Sequence, residues 1–350
     1  MSAATLRAWL NPILLPLLLL AGTLFINPSK NNEGSEKTLG GKKFPQVIQP
    51  PKNTSSLREV ELVAASMVPS AVKVSQLPPI PSVDNPRAVN AWLRKVDAAS
   101  SRLTVKSLGR SAAGQEILGA YTEIDDAGQK PPATAPYVAV ICRQHGDEPA
   151  PTAAALELIS EVVTTQATEK YELLKQVRFF IVPVVNPDGA LEDYRYSHEG
   201  VNPNRDWGIW RLAETKAVWE SLKQIRPAAL LDCHELLPGD YKTHPYLECF
   251  AEGEALAKHL ASANPKQSKF DALQIRGPIR ECPPSLLYQH FQRTYKRPAV
   301  MVESSMVGKR TFQQRVQLHH TAAWETASWV ARTKLHKVSY ANMKIAGVLR

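Results

Sequence analysis

From residue 85 onward, apolar segments of strand length alternate with amphipathic segments of helix length, and this alternation most constrains the fold. The segments "YVAVIC" (137–142), "RFFIV" (178–182) and "AVMV" (299–302) are apolar almost throughout and lack the polar positions of a strand that faces water. Such strands are typical of a parallel sheet that is covered on both faces. The pattern therefore predicts an α/β domain with a mixed, mostly parallel central sheet and helices on both faces.

The same alternation assigns the individual elements. Asn85 precedes Pro86 and is predicted to cap the first helix. Helices are predicted at 85–100, 151–165, 214–225, 251–263 and 313–335. Two strands joined by a turn are predicted within 103–124, and further strands at 137–142, 177–185, 228–235 and 298–304.

Composition divides the chain into four regions. Residues 1–26 contain one early positive charge, Arg7, and an apolar stretch, and predict either a cleaved signal peptide or an uncleaved membrane anchor. Residues 27–84 are polar and rich in proline, and predict a partly disordered tether. The globular domain is expected at 85–335, followed by a tail at 336–350. Export to the periplasm or the extracellular space follows from the first region.

Charge and cysteine content restrict the classes of partner and the redox chemistry. The formal charge of +9 is spread along the chain without a dense basic run, which argues against a nucleic-acid partner. The four cysteines form no C-x-x-C pattern. In an exported protein they could form disulfides, but buried free thiols at strand ends are an equal alternative.

Unexpected polar residues follow three of the predicted strands. His145 and Glu148 follow the strand at 137–142, His234 ends the strand at 228–235, and Glu303 ends the last strand. In an α/β sheet the carboxyl ends of the strands collect the active-site residues. Two histidines and one glutamate match a catalytic zinc site that keeps a fourth position open for water. The alternative for each residue alone is a polar strand terminus, because H-x-x-E by itself is a weak motif.

Further motifs occur in a fixed order around these residues. They are "SLGRSAAGQEI" (107–117), "NPDG" (186–189), "YRYSHEGVNPNRDW" (194–207) and "VES" (302–304). Together they resemble the zinc carboxypeptidases, the family that contains the pancreatic carboxypeptidases and bacterial murein-peptide amidases. The resemblance extends from about Ser107 to Val330, and Gln115 stands where the family usually has Arg.

The resemblance implies a role for each matching residue. It implies that one zinc ion per chain is bound by His145, Glu148 and His234. It implies that Glu303 is the general base, and that Arg195 polarises the scissile carbonyl. Asn204 and Arg205 would bind the free C-terminal carboxylate of a peptide, which guanidinium recognises in a bidentate geometry.

Simple surface ion pairs are the alternative for the two arginines. Arg195 has Glu192 and Glu199 nearby in sequence, and Arg205 is followed by Asp206.

Two departures from the family pattern bear on the site. The family has Asp where this chain has Asn202, and that Asp orients a zinc-bound histidine. Asp232, near His234, is a candidate replacement, and an ordinary strand-edge residue is an equal alternative. No Tyr occupies the expected place of the mobile family Tyr that closes over the substrate, and Tyr288 is the candidate for that role.

These observations predict a zinc metallocarboxypeptidase that acts outside the cytoplasm on peptides with a free C-terminus. The alternatives are a related amidohydrolase, either an N-acyl amino acid deacylase or a murein peptide amidase, and a catalytically silent binding module. The complete set of candidate site residues argues against the silent module. The preferred C-terminal residue and the oligomeric state are not predicted.

Overall fold

The computed structural model describes residues 72–123, 135–166, 169–239, 244–263, 273–277, 286–308 and 310–333. The predicted signal peptide or anchor, residues 27–71 of the tether, the C-terminal tail and Cys282 lie outside these residues, so those expectations stay predictions. Within the described part of the chain, no helix is both long enough and apolar enough to span a bilayer.

The five predicted helices and the six predicted strands are all present, and three further helices at 169–174, 187–191 and 287–295 were not predicted. The helices are α1 (Pro86–Ala99), α2 (Pro149–Thr164), α3 (Glu169–Leu174), α4 (Pro187–Leu191), α5 (Ala213–Ile225), α6 (Glu254–Ala263), α7 (Leu287–Tyr295) and α8 (Phe312–Thr333). The strands are β1 (Leu103–Arg110), β2 (Glu116–Thr122), β3 (Tyr137–Cys142), β4 (Arg178–Val182), β5 (Ala229–Leu236), β6 (Tyr246–Glu248), β7 (Gln274–Arg276) and β8 (Ala299–Ser305).

One eight-stranded sheet organises the domain, in the order β1-β2-β4-β3-β5-β8-β6-β7. The central strands β4, β3, β5 and β8 are mutually parallel, whereas β1 pairs with β2, β2 with β4 and β6 with β8 in antiparallel fashion. The predicted mixed, mostly parallel sheet is therefore confirmed. The strands β6 and β7, with three residues each, were not predicted.

Helices cover both faces of this sheet, which explains why its central strands are apolar on both sides. In β3, Val138 and Val140 face the core formed with α1, α2, α6 and α8. The intervening Ala139 and Ile141 face a second core formed with α5 and α7. Side chains of successive residues in a strand point to opposite faces, so each face needs its own apolar layer.

The N-terminus of α1 shows how local sequence sets an element boundary. The side chain of Asn85 accepts hydrogen bonds from the backbone N–H groups of Arg87 (3.0 Å) and Ala88 (3.2 Å). Pro86 occupies the first helical position, where its missing N–H costs nothing. The predicted N-cap is confirmed.

The parallel register aligns the carboxyl ends of three neighbouring strands. Cys142 of β3 pairs with Cys233 of β5, and His234 of β5 pairs with Glu303 of β8. The described cysteines, Cys142, Cys233 and Cys249, are buried free thiols. The polar residues that follow these strands thus meet at one edge of the sheet.

Glu161 ties α2 to two other helices on the outer layer. Its carboxylate accepts hydrogen bonds from His320 (3.0 Å) and Trp324 (2.8 Å) of α8 and contacts the ammonium group of Lys170 on α3. Burial by itself raises the pKa of Glu161, but the bonds from His320, Lys170 and Trp324 lower this pKa to about 2.

We expect Glu161→Gln to destabilise the domain by about 1 kcal/mol at pH 7, because the lost bonds are charge-assisted but partly screened by water. The folded pKa lies below the unfolded value, so the contribution is present above pH 4.5 and is lost as the pH falls toward 2. Urea unfolding at pH 7 and pH 3 measures the difference. The control is Glu157→Gln on the same helix, whose carboxylate bonds the neutral amide of Gln313 (3.2 Å). If Glu161→Gln lowers the free energy of unfolding by the same amount at pH 7 and at pH 3, this assignment is contradicted.

Candidate active site

The structure brings His145, Glu148 and His234 together at the carboxyl edge of the sheet. The Nδ1 atom of His145 lies 2.6 Å from Glu148 Oε1, and the Nδ1 atom of His234 lies 2.9 Å from Glu148 Oε2. All three side chains are buried, and one ligand atom from each lies within 4.8 Å of the others. Two imidazoles and a carboxylate with converging donor atoms match the donor set of a catalytic zinc ion.

Glu148 stands at the N-terminus of α2, where a side chain would ordinarily cap the helix. Its carboxylate makes no capping bond because it faces the two imidazoles. Glu235 replaces it by accepting a hydrogen bond from the backbone N–H of Ala150 (2.8 Å) and another from Arg315 Nε (2.6 Å). The residue after His234 therefore anchors the helix that carries Glu148. Sequence analysis missed Glu235, although its position beside His234 offered a signal.

The turn between His145 and Glu148 packs directly against the "NPDG" turn. A Cβ atom on Gly146 would lie 2.0 Å from the carbonyl carbon of Gly189. Asn186 holds this second turn, because it accepts from Gly189 N (3.0 Å) and donates to Tyr196 O (3.0 Å). The backbone contact fixes the ligand-bearing turn against the segment that carries Arg195.

The outer nitrogen of each imidazole contacts a different kind of group. His145 Nε2 lies 3.0 Å from Asn202 Oδ1. His234 Nε2 lies 3.0 Å from the carboxylate oxygen Asp232 Oδ1. Asn202 thus occupies the place expected for the family Asp, and Asp232 contacts the other histidine.

Burial and charge shift the pKa values of the three residues in different directions. Burial lowers the pKa of His145. Burial alone would raise the pKa of Glu148, but the two imidazoles outweigh it and the pKa is lowered. For His234 burial opposes the charged form, yet Asp232 and Glu148 outweigh it and raise its pKa well above the ordinary value. The two imidazoles thus favour the ionised form of Glu148.

An open cavity lies beside this cluster, and His145 forms part of its wall. Residues with the predicted catalytic and substrate-binding roles line it, and so do residues that were not predicted. The lining comprises His145, Arg195, Asn204, Arg205, Glu235, Leu236, Tyr246, Glu248, Leu286, Met301 and Glu303.

The two arginines occupy different positions in the cavity. Arg195 Nη1 lies 3.0 Å from Glu148 Oε1, and neither of its sequence neighbours Glu192 and Glu199 makes that contact. Arg205 donates to the carbonyl of Asn204 (2.7 Å). Asp206 does not pair with Arg205 within the described residues.

The carboxylate of Asp206 has other partners. It accepts from Arg211 N (2.9 Å), Leu212 N (3.0 Å) and Thr215 Oγ1 (2.5 Å). Arg195 and Arg205 both line the cavity.

Asn204 makes contacts beyond its predicted role. Its Nδ2 atom lies 3.1 Å from His234 Nε2, and its Oδ1 atom accepts from Leu287 N (3.3 Å). The residue is almost completely buried, so its amide supports the histidine as well as lining the cavity.

Glu303 lies in the cavity wall, on the strand next to the one that carries His234. Its Oε1 atom accepts a hydrogen bond from Tyr246 OH (3.3 Å), while its buried Oε2 atom has no partner within the described residues. Burial raises the pKa of Glu303 to about 8, with His234 opposing this and Glu148 and Asp232 adding to it. A buried oxygen without a partner is unusual and fits a group that receives a proton from a bound molecule.

Tyr288 does not fit the predicted role of closing over a substrate. It is fully buried in α7, and its hydroxyl donates to Glu248 Oε1 (2.7 Å) from below the cavity. The helix α7 packs against the sheet, so the side chain points into the core rather than toward solvent.

Tyr246 and Glu248 are cavity residues that sequence analysis missed. Both lie on β6, two residues apart, and so project from the same face of the sheet. Tyr246 pairs in register with Glu303, and Glu248 pairs with Met301. A Tyr-x-Glu spacing was the only signal, and a strand of three residues is too short to stand out in a sequence.

Comparisons with known proteins agree with this geometry. A family model described as zinc carboxypeptidase matches residues 89–235. No curated protein gives a significant match.

Solved structures share the fold. A metallo-carboxypeptidase from Burkholderia cenocepacia is similar with a TM-score of 0.59 and 19% identity, over 71% of this chain and 69% of that one. A metallo-carboxypeptidase from Pseudomonas aeruginosa in complex with (2-guanidinoethylmercapto)succinic acid has a TM-score of 0.57 and 19% identity, over 70% and 68%. The carboxypeptidase A from Helicoverpa armigera has a TM-score of 0.57 and 17% identity, over 82% of each chain.

We expect Gly146→Ala to destabilise the domain by about 1–3 kcal/mol, because the new methyl group would meet backbone atoms that cannot yield. The nearest are Gly189 C (2.0 Å), Gly189 O (2.3 Å) and Ala190 N (2.4 Å). Gly109→Ala is the control, since its methyl group would meet only the side chain of Ala217 (3.0 Å) and should cost less. Chemical unfolding of both variants tests the comparison, and equal losses would contradict the packing argument.

Proposed function

Because residues 89–235 match the zinc carboxypeptidase family and the domain has the fold of its members, we propose that this protein is a zinc-dependent metallocarboxypeptidase. It hydrolyses the C-terminal peptide bond of peptides. The observation that carries the proposal is the lining of one cavity by a metal-site histidine, an unpaired buried carboxylate oxygen and two arginines. These are the groups that the hydrolysis of a terminal peptide bond requires.

His145, Glu148 and His234 hold the metal ion, because their donor atoms converge and each is buried. When bound, zinc polarises a carbonyl group and lowers the pKa of a water molecule toward ~7. The fixed positions of the two imidazoles follow from the bonds of their outer nitrogens to Asn202 and Asp232.

Glu303 moves the proton. Its free Oε2 atom takes a proton from the attacking water as the water oxygen bonds to the carbonyl carbon. The same oxygen then gives that proton to the amine nitrogen as the C–N bond breaks. A pKa raised to about 8 makes the ionised carboxylate a stronger base, and the carboxyl group that results can return its proton to the amine.

The two arginines stabilise charge at different points. Arg195 donates to the carbonyl oxygen as negative charge develops there, a contribution typically of about 2.7–4 kcal/mol per donor. Arg205 binds the C-terminal carboxylate of the substrate through paired N–H groups. This contact restricts cleavage to the last residue, because an internal bond presents no carboxylate at this distance from the scissile carbonyl.

The test uses the zinc-loaded full chain and matched peptides that carry either a free or an amidated C-terminus. We expect free-acid peptides to lose one residue at least about 10-fold faster than their amides, because an amide leaves the Arg205 charge without its partner. Mass spectrometry of the products measures both rates. Equal cleavage of both sets, or release of an N-acyl group instead, would rule out a carboxypeptidase.

Glu303→Gln is the mechanistic control for this test. It preserves the shape and removes the proton acceptor, so it should retain zinc and lose about 10²–10⁴-fold in turnover. Retained activity would remove Glu303 from the mechanism.

Glu248 supports a more specific substrate class. Glu248 lines the same cavity as Arg205 and Glu303. On β8 it pairs with Met301, which is two residues before Glu303 and on the same face of the sheet. Glu248 therefore lies farther from the carboxyl edge of the sheet than Glu303 does. The side chain of the substrate's terminal residue would enter this part of the cavity. The neighbours of Glu248 in that part of the wall are Leu286 and Met301.

The surroundings of Glu248 leave its charge available to a substrate. Tyr288 OH donates to it (2.7 Å), but a phenol carries no positive charge. The guanidinium of its register partner Arg276 stacks on the ring of Tyr246 (3.8 Å) and forms no ion pair with Glu248 in the described structure. A carboxylate in a largely enclosed wall favours a cation. We therefore propose a preference for a C-terminal Lys or Arg.

The solved complex of the Pseudomonas aeruginosa metallo-carboxypeptidase is consistent with this class of ligand. The compound in that structure, (2-guanidinoethylmercapto)succinic acid, combines a guanidino group with carboxylic acid groups.

We expect Glu248→Gln to lower kcat/KM for peptides ending in Lys or Arg by about 10- to 150-fold, the equivalent of losing one charge-assisted bond. Peptides ending in Leu should change little. Glu252→Gln is the control, because Glu252 is exposed and does not line the cavity. A parent enzyme that prefers Leu would contradict the role of Glu248 without affecting the proposed reaction.

A further inference from the structure

We propose that Asp232 is the positioning residue of the metal site, which orients the imidazole of His234 through its outer nitrogen. The outer nitrogen of His145, by contrast, contacts the neutral amide of Asn202. The carboxylate that supports a metal-binding histidine therefore contacts His234 in this chain rather than His145. The inference rests on the proposed zinc site and is independent of the substrate.

The proton of the His234 ring can be placed from its contacts. Nδ1 faces Glu148 Oε2 at 2.9 Å, on the side where the donor atoms converge. A ring nitrogen that binds a metal ion carries no proton, so the proton of a neutral ring resides on Nε2. Three polar atoms lie within reach of Nε2: Asp232 Oδ1 (3.0 Å), Asn204 Nδ2 (3.1 Å) and Gln144 Nε2 (3.2 Å).

Of these three atoms, Asp232 Oδ1 is the only hydrogen-bond acceptor. Trp207 Nε1, which can only donate, lies 2.6 Å from Gln144 Oε1, so the Gln144 amide nitrogen must face Asp232 and His234. The backbone N–H of Leu287 donates to Asn204 Oδ1 (3.3 Å), which turns the Asn204 amide nitrogen toward His234. The ring N–H therefore donates to the carboxylate of Asp232.

The burial of Asp232 gives an independent reason for this role. It is fully buried in β5, where the preceding residues Leu230 and Leu231 are apolar. Its second oxygen accepts from Tyr288 N (3.3 Å). Among the described residues His234 is its only ion-pair partner. A buried carboxylate is costly unless a group with positive charge faces it, and an imidazole polarised by a metal ion is such a group.

The partner of His145 is weaker because it carries no charge. His145 Nε2 lies 3.0 Å from Asn202 Oδ1, which is the oxygen of a neutral amide. Both acceptor oxygens are shared, since Asn202 Oδ1 also accepts from the backbone N–H of Asn204 (2.9 Å) and Asp232 Oδ1 also accepts from Gln144 Nε2. An amide oxygen raises the basicity of an imidazole less than a carboxylate does. The site therefore depends on Asp232 for its one anionic support.

The experiment compares zinc affinity in the parent and in Asp232→Asn, Asn202→Asp and the double variant by competition with a chelator. We expect Asp232→Asn to weaken zinc binding by about 10–100-fold. Adding Asn202→Asp to it should recover at least about 10-fold, because the double variant restores one carboxylate, now on His145. A merely structural role for Asp232 predicts no such recovery, since the new carboxylate lies on the other histidine.

Glu214→Gln is the matched control, because Glu214 is a fully buried carboxylate that bonds the backbone N–H of Ala112 (3.2 Å) and no imidazole. It should leave zinc affinity within about 2-fold of the parent, as expected for a site with no contact to the ligands. A parent that binds no zinc would overturn the proposed function. A parent that binds zinc, together with an Asp232→Asn variant of equal affinity, would overturn this inference alone.

A crystal structure of the zinc-loaded parent provides a test that needs no variant. We expect His234 to bind the ion through Nδ1 while Nε2 keeps its bond to Asp232. Coordination through Nε2, or an Asp232 side chain turned away from the ring, would overturn the inference even if Asp232→Asn fails to fold.

Discussion

The carboxylate of Glu148 is the group on which the arrangement of the site depends. It contacts Nδ1 of both His145 and His234, and it also lies 3.0 Å from the guanidinium of Arg195. Because this side chain is occupied, it cannot cap its own helix, and Glu235 caps α2 instead. The position of the helix, the two imidazoles and the cavity wall are consequently coupled through one buried charge.

That buried charge is sustained by a layer of polar groups that would be unfavourable elsewhere in the core. Asp232, Gln144 and Asn204 are all buried, and each has hydrogen-bond partners that also contact the imidazoles or hold their neighbours. Such groups add little net stability, because desolvation offsets most of each bond. Their benefit lies in fixed geometry, since each removes a rotational alternative from an imidazole of the candidate metal site.

The sequence predicted the central architecture because the strands concerned are long and apolar on both faces. It predicted the candidate metal residues because a histidine or glutamate directly after such a strand has a known location, at the carboxyl edge of the sheet. It missed β6 and β7, which have three residues each, and with them Tyr246 and Glu248. A short strand at the side of a sheet is stabilised by its neighbours, so its own residues carry little local signal.

Tyr288 illustrates the other limit. Its spacing before Glu303 made it a candidate for a residue over the cavity, yet α7 packs against the sheet and turns the side chain below the cavity floor. The direction of a side chain depends on the face that its helix buries, and that face is set by contacts with residues distant in sequence.

Residue patterns alone indicate the five longest helices, the parallel core of the sheet, the cap at Asn85 and the residue types at the three strand ends. These properties follow from apolar periodicity and local backbone bonding, which act over a few residues. Only the tertiary structure decided which groups meet: that Asp232 faces His234, that Glu235 caps α2, and that Glu248 lies in the cavity wall. Strand register and helix packing bring those atoms together, and both arise from contacts between segments that are far apart along the chain.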